Sequence, residues 1–332
     1  MLIPLCLVGC SGPAPPPPAI AVAAAGVQMS EPVRLWQDAS IFQVVGRLIA
    51  HAQHRVYVEM YELGRRDIVS GLAADRLGGA DVRVVTDPTV NASRVSLDTL
   101  QRSGVAARFY PVDDTAHQID HVKLLIADDE AVVGGMNWGA HSDRNHDYVL
   151  ETSDAAEVDR LVQIFEQDWS LAGGEPRLVP AESTSRIAQT APREEIRDLL
   201  AAALRSARVR VWAEVYTLTD PDVLLALASA HQRGVDVRVL LDPSQPYNRR
   251  SFDGLRSAGV PVRWYPVPPG TLLHAKIGLF DASLLLGSAN WTYSGLDVNH
   301  ELDIKTQDPQ AIAAYASRFR LDWLRSPAAS SY

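Results

Sequence analysis

Apolar residues at Ile41, Val44, Val45, Leu48 and Ile49 fall on one face of a helix, so the spacing predicts a helix beginning near Ser40. The next stretch, 55–61, alternates as RVYVEMY and predicts a strand. A helix over 68–77 follows, stopped by Gly78 and Gly79. The pattern continues with a strand over 81–87 ended by Pro88, a helix over 93–103 ended by Gly104, and a short strand over 107–110 ended by Pro111. The same order then recurs. Glu59 and Glu214, Asp87 and Asp242, and Tyr110 and Tyr265 are each offset by 155, and a proline follows both members of the last two pairs. The closing helices match as well, with Phe165, Asp168 and Trp169 answered by Phe319, Asp322 and Trp323. The prediction is an α/β fold of two similar halves, each a mixed β-sheet flanked by helices. The first half covers 36–172 and the second 180–332, with the boundary in the Gly/Pro-containing stretch between them.

Two predicted strands, over 122–126 and 275–280, are almost continuously apolar apart from a His-Lys face, which places them deep in their sheets. His274 and Lys276 are two apart and so share a face on an extended chain. Asp281 follows, then a turn with Gly287, Ser288 and Asn290, then Glu301. His121, Lys123, Asp128, Gly134, Gly135, Asn137 and Asp147 repeat the arrangement, and the His, Lys, first Asp and Asn pairs each share an offset of 153. Imidazole, ammonium, amide, hydroxyl and carboxylate together suit an anionic phosphodiester. Each residue type also has a structural reading: a satisfied core histidine, or a turn residue for Asn137, Asn290 and Ser288. The doubled pattern favours the chemical one.

These motifs resemble the phospholipase D superfamily, whose signature is H-x-K-x(4)-D followed by G-S-x-N. The resemblance covers about 36–323. It implies two halves about a pseudo-twofold axis, one active site shared by both histidines, and no metal or other cofactor. Catalysis would fall to His121, His274, Lys123 and Lys276, with substrate contacts from Asn137, Asn290 and Ser288. Glu301 and Asp147 would accept from a catalytic imidazole and orient it. Asp128 and Asp281 lie on the opposite strand parity and read as structural. The first motif departs from the family at Gly135, where Ser is usual, and at Asp147, where Glu is commoner. The expected result is an asymmetric site whose second half binds phosphate and orients its histidine more firmly. Glu59 and Glu214 fit either salt bridges across the seam or equivalent structural positions. His117, His141, His146 and His300 show no ligand spacing that repeats cleanly, so no metal site is expected.

Composition narrows the partners. The chain has 332 residues, 47% of them hydrophobic, with a formal net charge of −9. An acidic balance argues against nucleic acid, whose binding is driven by phosphate neutralisation. Asp113, Asp114 and Asp120 before His121 would repel a polyanion at the mouth, whereas Pro268, Pro269, Leu272 and Leu273 before His274 form an apolar lip. The only cysteines are Cys6 and Cys10. Residues 1–10 resemble a short bacterial lipoprotein signal with Cys10 as the lipidation site. The Pro/Ala-rich stretch 11–35 then reads as a tether. No apolar run reaches the ~18–20 residues of a membrane span. The expectation is a monomeric pseudo-dimer, lipid-anchored at the bacterial cell envelope, with a phospholipid substrate at the membrane surface.

The expected reaction is double displacement through a phosphohistidine, with the second histidine as general acid and then base. Head-group hydrolysis of phospholipids is the first reading. Phosphatidyl transfer of the cardiolipin-synthase type, or nuclease activity, is the alternative, and a non-catalytic lipid-tethered binding module is a third.

Overall fold

The structure is a computed structural model that describes residues 33–177, 179–180, 186–191 and 193–327. Cys6, Cys10 and most of the expected tether lie outside the described residues. Val33–Gln37 is no tether, however. It forms β1 and pairs antiparallel with a strand far along the first half, because its apolar side has a sheet edge to cover.

The first half runs β1, α1 (Ser40–His51), β2 (Arg55–Met60), α2 (Arg66–Gly78), β3 (Asp81–Thr86), α3 (Asn91–Arg102), β4 (Ala106–Phe109), β5 (Lys123–Ala127), β6 (Glu130–Gly134), β7 (Tyr148–Thr152) and α4 (Ala155–Ala172). The second runs β8 (Ile187–Gln189), α5 (Glu195–Ser206), β9 (Arg210–Val215), α6 (Pro221–Gln232), β10 (Asp236–Leu241), α7 (Asn248–Ser257), β11 (Val262–Trp264), β12 (Lys276–Phe280), β13 (Ser283–Gly287), β14 (Leu302–Thr306) and α8 (Pro309–Arg325). Each half builds a seven-stranded sheet, ordered β1-β7-β6-β5-β2-β3-β4 and β11-β10-β9-β12-β13-β14-β8. In the first, β2, β3 and β4 are parallel while β5, β6 and β7 form an antiparallel meander, so the sheet is mixed.

Local chemistry repeats with the fold. Asp154 and Asp308 cap α4 and α8 by accepting from two backbone N–H groups each. Asp128 and Asp281 sit in the two-residue turns after β5 and β12 at φ of 48° and 54°. Asp128 accepts from the amides of Gln53, His54 and Arg55, and Asp281 from those of Arg208, Val209 and Arg210. These motif carboxylates tie the hairpin turn to the start of β2 or β9, at the end of the sheet remote from the histidines.

Among the described residues, three apolar cores result. One lies between the first sheet and α1–α3, another between the second sheet and α5–α7. The third joins the halves: Leu124, Ile126, Val133, Tyr148 and Phe165 pack in one cluster with Leu279, Leu284, Leu286, Ile304 and Phe319. The continuous apolar character of β5 and β12 is explained by this double burial. One face fills the outer core of its own half and the other fills the seam.

Candidate active site

Both histidines lie at the seam, just before β5 and β12 rather than within them. Lys123 and Lys276 open the strands. His121 is held by a bond from its N–H to the carbonyl of His300 in the other half (2.8 Å), and His274 by the same bond to His146 (2.8 Å). Each histidine segment is therefore extended by pairing across the seam, which brings the two motifs to one place.

The carboxylates cross in the same way. His121 Nδ1 lies 2.8 Å from Glu301 Oε2, and His274 Nδ1 lies 2.8 Å from Asp147 Oδ2. Glu301 thus orients the histidine of the first half, and Asp147 that of the second. The expectation that each half orients its own histidine is overturned, because the segments carrying the carboxylates project over the seam. With Nδ1–H given to the carboxylate, Nε2 keeps a lone pair for attack or for carrying a proton.

Ser288 also differs from expectation. Its side chain is fully buried, its hydroxyl donates to Glu301 Oε2 (2.6 Å) and its oxygen accepts from the amide of Leu302 (2.9 Å). It has no proton left for a phosphate, so it acts through Glu301 and not on substrate. Asn299 Nδ2 donates to the other oxygen, Oε1, at 3.0 Å. In the first half, Asp147 Oδ1 accepts from the amide of Tyr148 (2.8 Å). A Cβ on Gly135 would land on that same Oδ1.

Lys123 donates to the His121 carbonyl (2.6 Å) and Lys276 to the His274 carbonyl. Each ammonium stands 5.1 Å from an aromatic ring, Tyr61 and Tyr216 respectively. The same two tyrosines contact the imidazoles, with centroids 4.8 Å from His121 and 4.7 Å from His274. Asn137 and Asn290 follow β6 and β13, and their Oδ1 atoms are buried without a hydrogen-bond partner.

Burial dominates the electrostatics. It pushes His274 down to about 3, with the neighbouring Lys276 charge adding to the effect. It lowers His121 as well, against the pull of Glu301. It brings Lys123 down to about 7 and Lys276 down to about 8. Glu301 is opposed by burial, yet His121, Lys123 and Ser288 together hold it below the ordinary carboxylate range. At neutral pH both imidazoles are neutral and both ammonium groups are poised to lose their protons. An anionic phosphodiester would stabilise the protonated lysines and one imidazolium.

Several positions in the repeat hold this arrangement without having been singled out. Asp87 accepts from the amide of Asp120, and Asp242 from that of Leu273, each at 2.7 Å, fixing the residue before each histidine. Their 155 offset was the available signal. Asp120 itself is fully buried and does not guard the mouth; Asp113 and Asp114 are exposed. Leu273 is buried too, leaving Pro268 and Pro269 as the exposed part of the lip. Asp120 and Leu273 turn inward because each sits in a bridge to the opposite half.

The family profile described as "Cardiolipin synthase, PLD-like domain" matches residues 45–169 and again 200–323. A cardiolipin synthase 2 of Bacillus anthracis is 28% identical over 324 residues, covering 85% of this chain and 62% of that protein. A cardiolipin synthase of Geobacillus thermodenitrificans is 30% identical over 295 residues, covering 76% and 58%. The chain thus spans about three-fifths of the length of the curated relatives it matches. Among solved structures, the phosphatidylserine synthase of Haemophilus influenzae shares the fold at a TM-score of 0.71 with 12% identity, over 90% of this chain and 88% of that one.

Proposed function

The chain belongs to the phospholipase D superfamily, and on that footing we propose that it is a phosphatidyl transferase of the cardiolipin-synthase type. The observation that carries phosphodiester chemistry is the crossed pair of histidine–carboxylate contacts, which gives one site two oriented imidazoles. The preference for transfer over the head-group hydrolysis expected from sequence rests on the relatives' names.

In the proposed reaction, Nε2 of one histidine attacks the phosphorus of a phosphatidyl lipid. A P–N bond forms and the P–O bond to the head-group alcohol breaks. The other histidine, protonated, gives its proton to the departing alkoxide. It then takes the proton of an incoming lipid hydroxyl, whose oxygen attacks phosphorus and breaks the P–N bond. Lys123 and Lys276 hold the charge on the non-bridging oxygens, with Asn137 and Asn290 as amide donors.

The test is incubation with phosphatidylglycerol, phosphatidylcholine, single-stranded DNA and bis(p-nitrophenyl) phosphate, with products identified by mass spectrometry. Cardiolipin and free glycerol from phosphatidylglycerol are expected. Phosphatidic acid alone would replace transfer by hydrolysis, and DNA cleavage without lipid turnover would overturn the lipid reading. Among the described residues, no helix is long and apolar enough to cross a membrane. Membrane attachment through lipidated Cys10 is part of the same proposal. Labelled palmitate should enter the wild-type protein and not Cys10→Ser, and a wild-type protein that stays soluble and unlabelled refutes the anchor.

A further inference from the structure

The residues immediately before the two orienting carboxylates form a second symmetric system. His300 precedes Glu301 and His146 precedes Asp147, at a common offset of 154. Both side chains are buried and both cross the seam. His300 Nε2 lies 3.1 Å from Asp168 Oδ2 and 3.4 Å from Glu59 Oε1, and its ring stacks on Tyr110 at 4.5 Å and 7°. His146 Nε2 lies 3.3 Å from Glu214 Oε2 and 3.5 Å from Asp322 Oδ2, and its ring stacks on Tyr265 at 5.0 Å and 4°. The mid-strand glutamate, the Tyr-Pro strand end and the Asp-Trp of the closing helix are thus one pocket in each half. Each pocket receives a histidine from the other.

We propose that His146 and His300 are positioning residues: each crosses the seam as an imidazolium, docks in the acidic pocket of the opposite half, and so holds the adjacent carboxylate against that half's catalytic histidine. The backbone shows the coupling. The His300 N–H bonds to the carbonyl of Ile119 and its carbonyl receives the N–H of His121, at 2.9 and 2.8 Å. His146 makes the same two bonds with Leu272 and His274, both at 2.8 Å. A side chain anchored on one side of this short bridge fixes where the next side chain points.

A cation suits each pocket. Glu59 and Asp168, with Asp120 beside them, are buried carboxylates; burial and mutual repulsion raise Glu59 well above the usual carboxylate range and Asp120 to about 7, and an imidazolium between them offsets that cost. The second pocket holds Glu214 and Asp322 of the second half, on His146 Nε2, and Asp38 of the first half, whose Oδ1 lies 2.6 Å from His146 Nδ1, with the Tyr148 hydroxyl 3.1 Å from Nε2. Burial opposes protonation of both histidines, but their neighbours win: Asp38 and Glu214 raise His146 to about 9, and Tyr110, Asp168 and Glu59 raise His300 well above its ordinary value. Each pocket also has the donor types of a metal site. In the second, Arg318 already bonds Asp322 (2.5 Å) and Asp38 (2.9 Å) and lies 3.2 Å from His146 Nδ1. A fixed guanidinium there leaves the cation's role in that pocket to side chains.

The kinetic part of the test rests on the phosphoryl-transfer reading, whereas the spectroscopic part does not. The low-field proton signals of the carboxylate-bound imidazole N–H groups of His121 and His274 are recorded in the full chain and assigned with His121→Gln and His274→Gln. His300→Gln should abolish or shift only the His121 signal, and His146→Gln only that of His274. Each should lower kcat on bis(p-nitrophenyl) phosphate by roughly 10- to 100-fold with little change in KM. His300→Arg should recover part of the loss by restoring the cation. Unchanged signals and kcat in His300→Gln would overturn the proposal, as would loss of both signals together in each variant, which marks general unfolding of the seam. One equivalent of tightly bound metal in the wild-type protein would overturn it too. A wild-type protein inactive on every diester, with the signals behaving as described, would refute the proposed function and leave the positioning role standing.

Discussion

The two halves do the same job with different residues. In the second half, the Ser288 oxygen accepts the Leu302 amide and its proton goes to Glu301, which holds His121. In the first half there is no hydroxyl, and Asp147 performs both tasks: Oδ1 accepts the Tyr148 amide and Oδ2 holds His274. The shorter side chain brings Oδ1 into the space where a Cβ at 135 would stand. Gly135 and Asp147 are therefore one change in two parts. A motif that looks degraded position by position keeps its function when read as a pair, and both histidines receive a carboxylate at 2.8 Å.

The largest effect that could break this equivalence comes from the histidines themselves. His121→Ala and His274→Ala should each cut turnover by about 10⁴-fold or more, because nucleophile and acid/base act as a unit. Steady-state kinetics on a chromogenic diester, with circular dichroism to verify folding, checks it. Near-normal turnover in either variant would mean that the halves are not partners in one site.

Gly135→Ser is next. The added side chain meets Asp147, so overpacking should destabilise the protein by about 1–3 kcal/mol in denaturant titration and misplace His274. The double variant Gly135→Ser/Asp147→Glu recreates the second-half arrangement and should regain most of the lost activity. A double variant no better than Gly135→Ser alone would show that the two halves are not interchangeable in this respect.

Ser288→Gly should have a smaller effect than removal of an oxyanion donor. It leaves the Leu302 amide unpaired and Glu301 short of one hydrogen bond, worth about 1–3 kcal/mol. The loss should fall on the His121 side, raising the pH needed for full activity, since a less firmly held Glu301 titrates closer to its ordinary value. A pH–rate profile identical to wild type would return Ser288 to the role of a turn residue.

Lys123→Met should act on stability with the opposite sign. It costs activity but stabilises the unliganded fold, because the buried ammonium disfavours folding. The folded pKa of about 7 lies below the ordinary 10.5, so the unfolded chain binds more protons between those values and the wild-type fold gains stability as pH rises through that window. The variant's advantage should accordingly be larger at pH 7 than at pH 10. A constant advantage in thermal melts at the two pH values would show that burial does not depress Lys123.

Much of this was legible in the chain. The hydrophobic periods placed α1, α2, α3, β2 and β3, and the recurrence of Glu59, Asp87, Tyr110 and Asp168 at a nearly fixed offset marked two halves of one kind. The first strand escaped notice, because Val33–Gln37 continues without a break from a Pro/Ala-rich stretch. His146 and His300 escaped for a different reason. As lone buried histidines near carboxylates they suggest metal ligands, although their 154 offset is that of Asp147 and Glu301 and marks them as partners of those carboxylates.

What the sequence alone determined is the inventory and its doubling. Local periodicity and repeated spacing are properties of neighbouring residues, so they are readable without a fold. Which carboxylate serves which histidine was decided only by tertiary structure. Glu301 is thirteen residues from Ser288 and 180 from His121, yet it bonds to both. Spacing favours the partner in its own half, whereas the pairing of His300 with Ile119 and His121 delivers Glu301 to the other. Contacts across the seam depend on how two sheets bury a common apolar face, and that packing assembles from positions far apart in the chain.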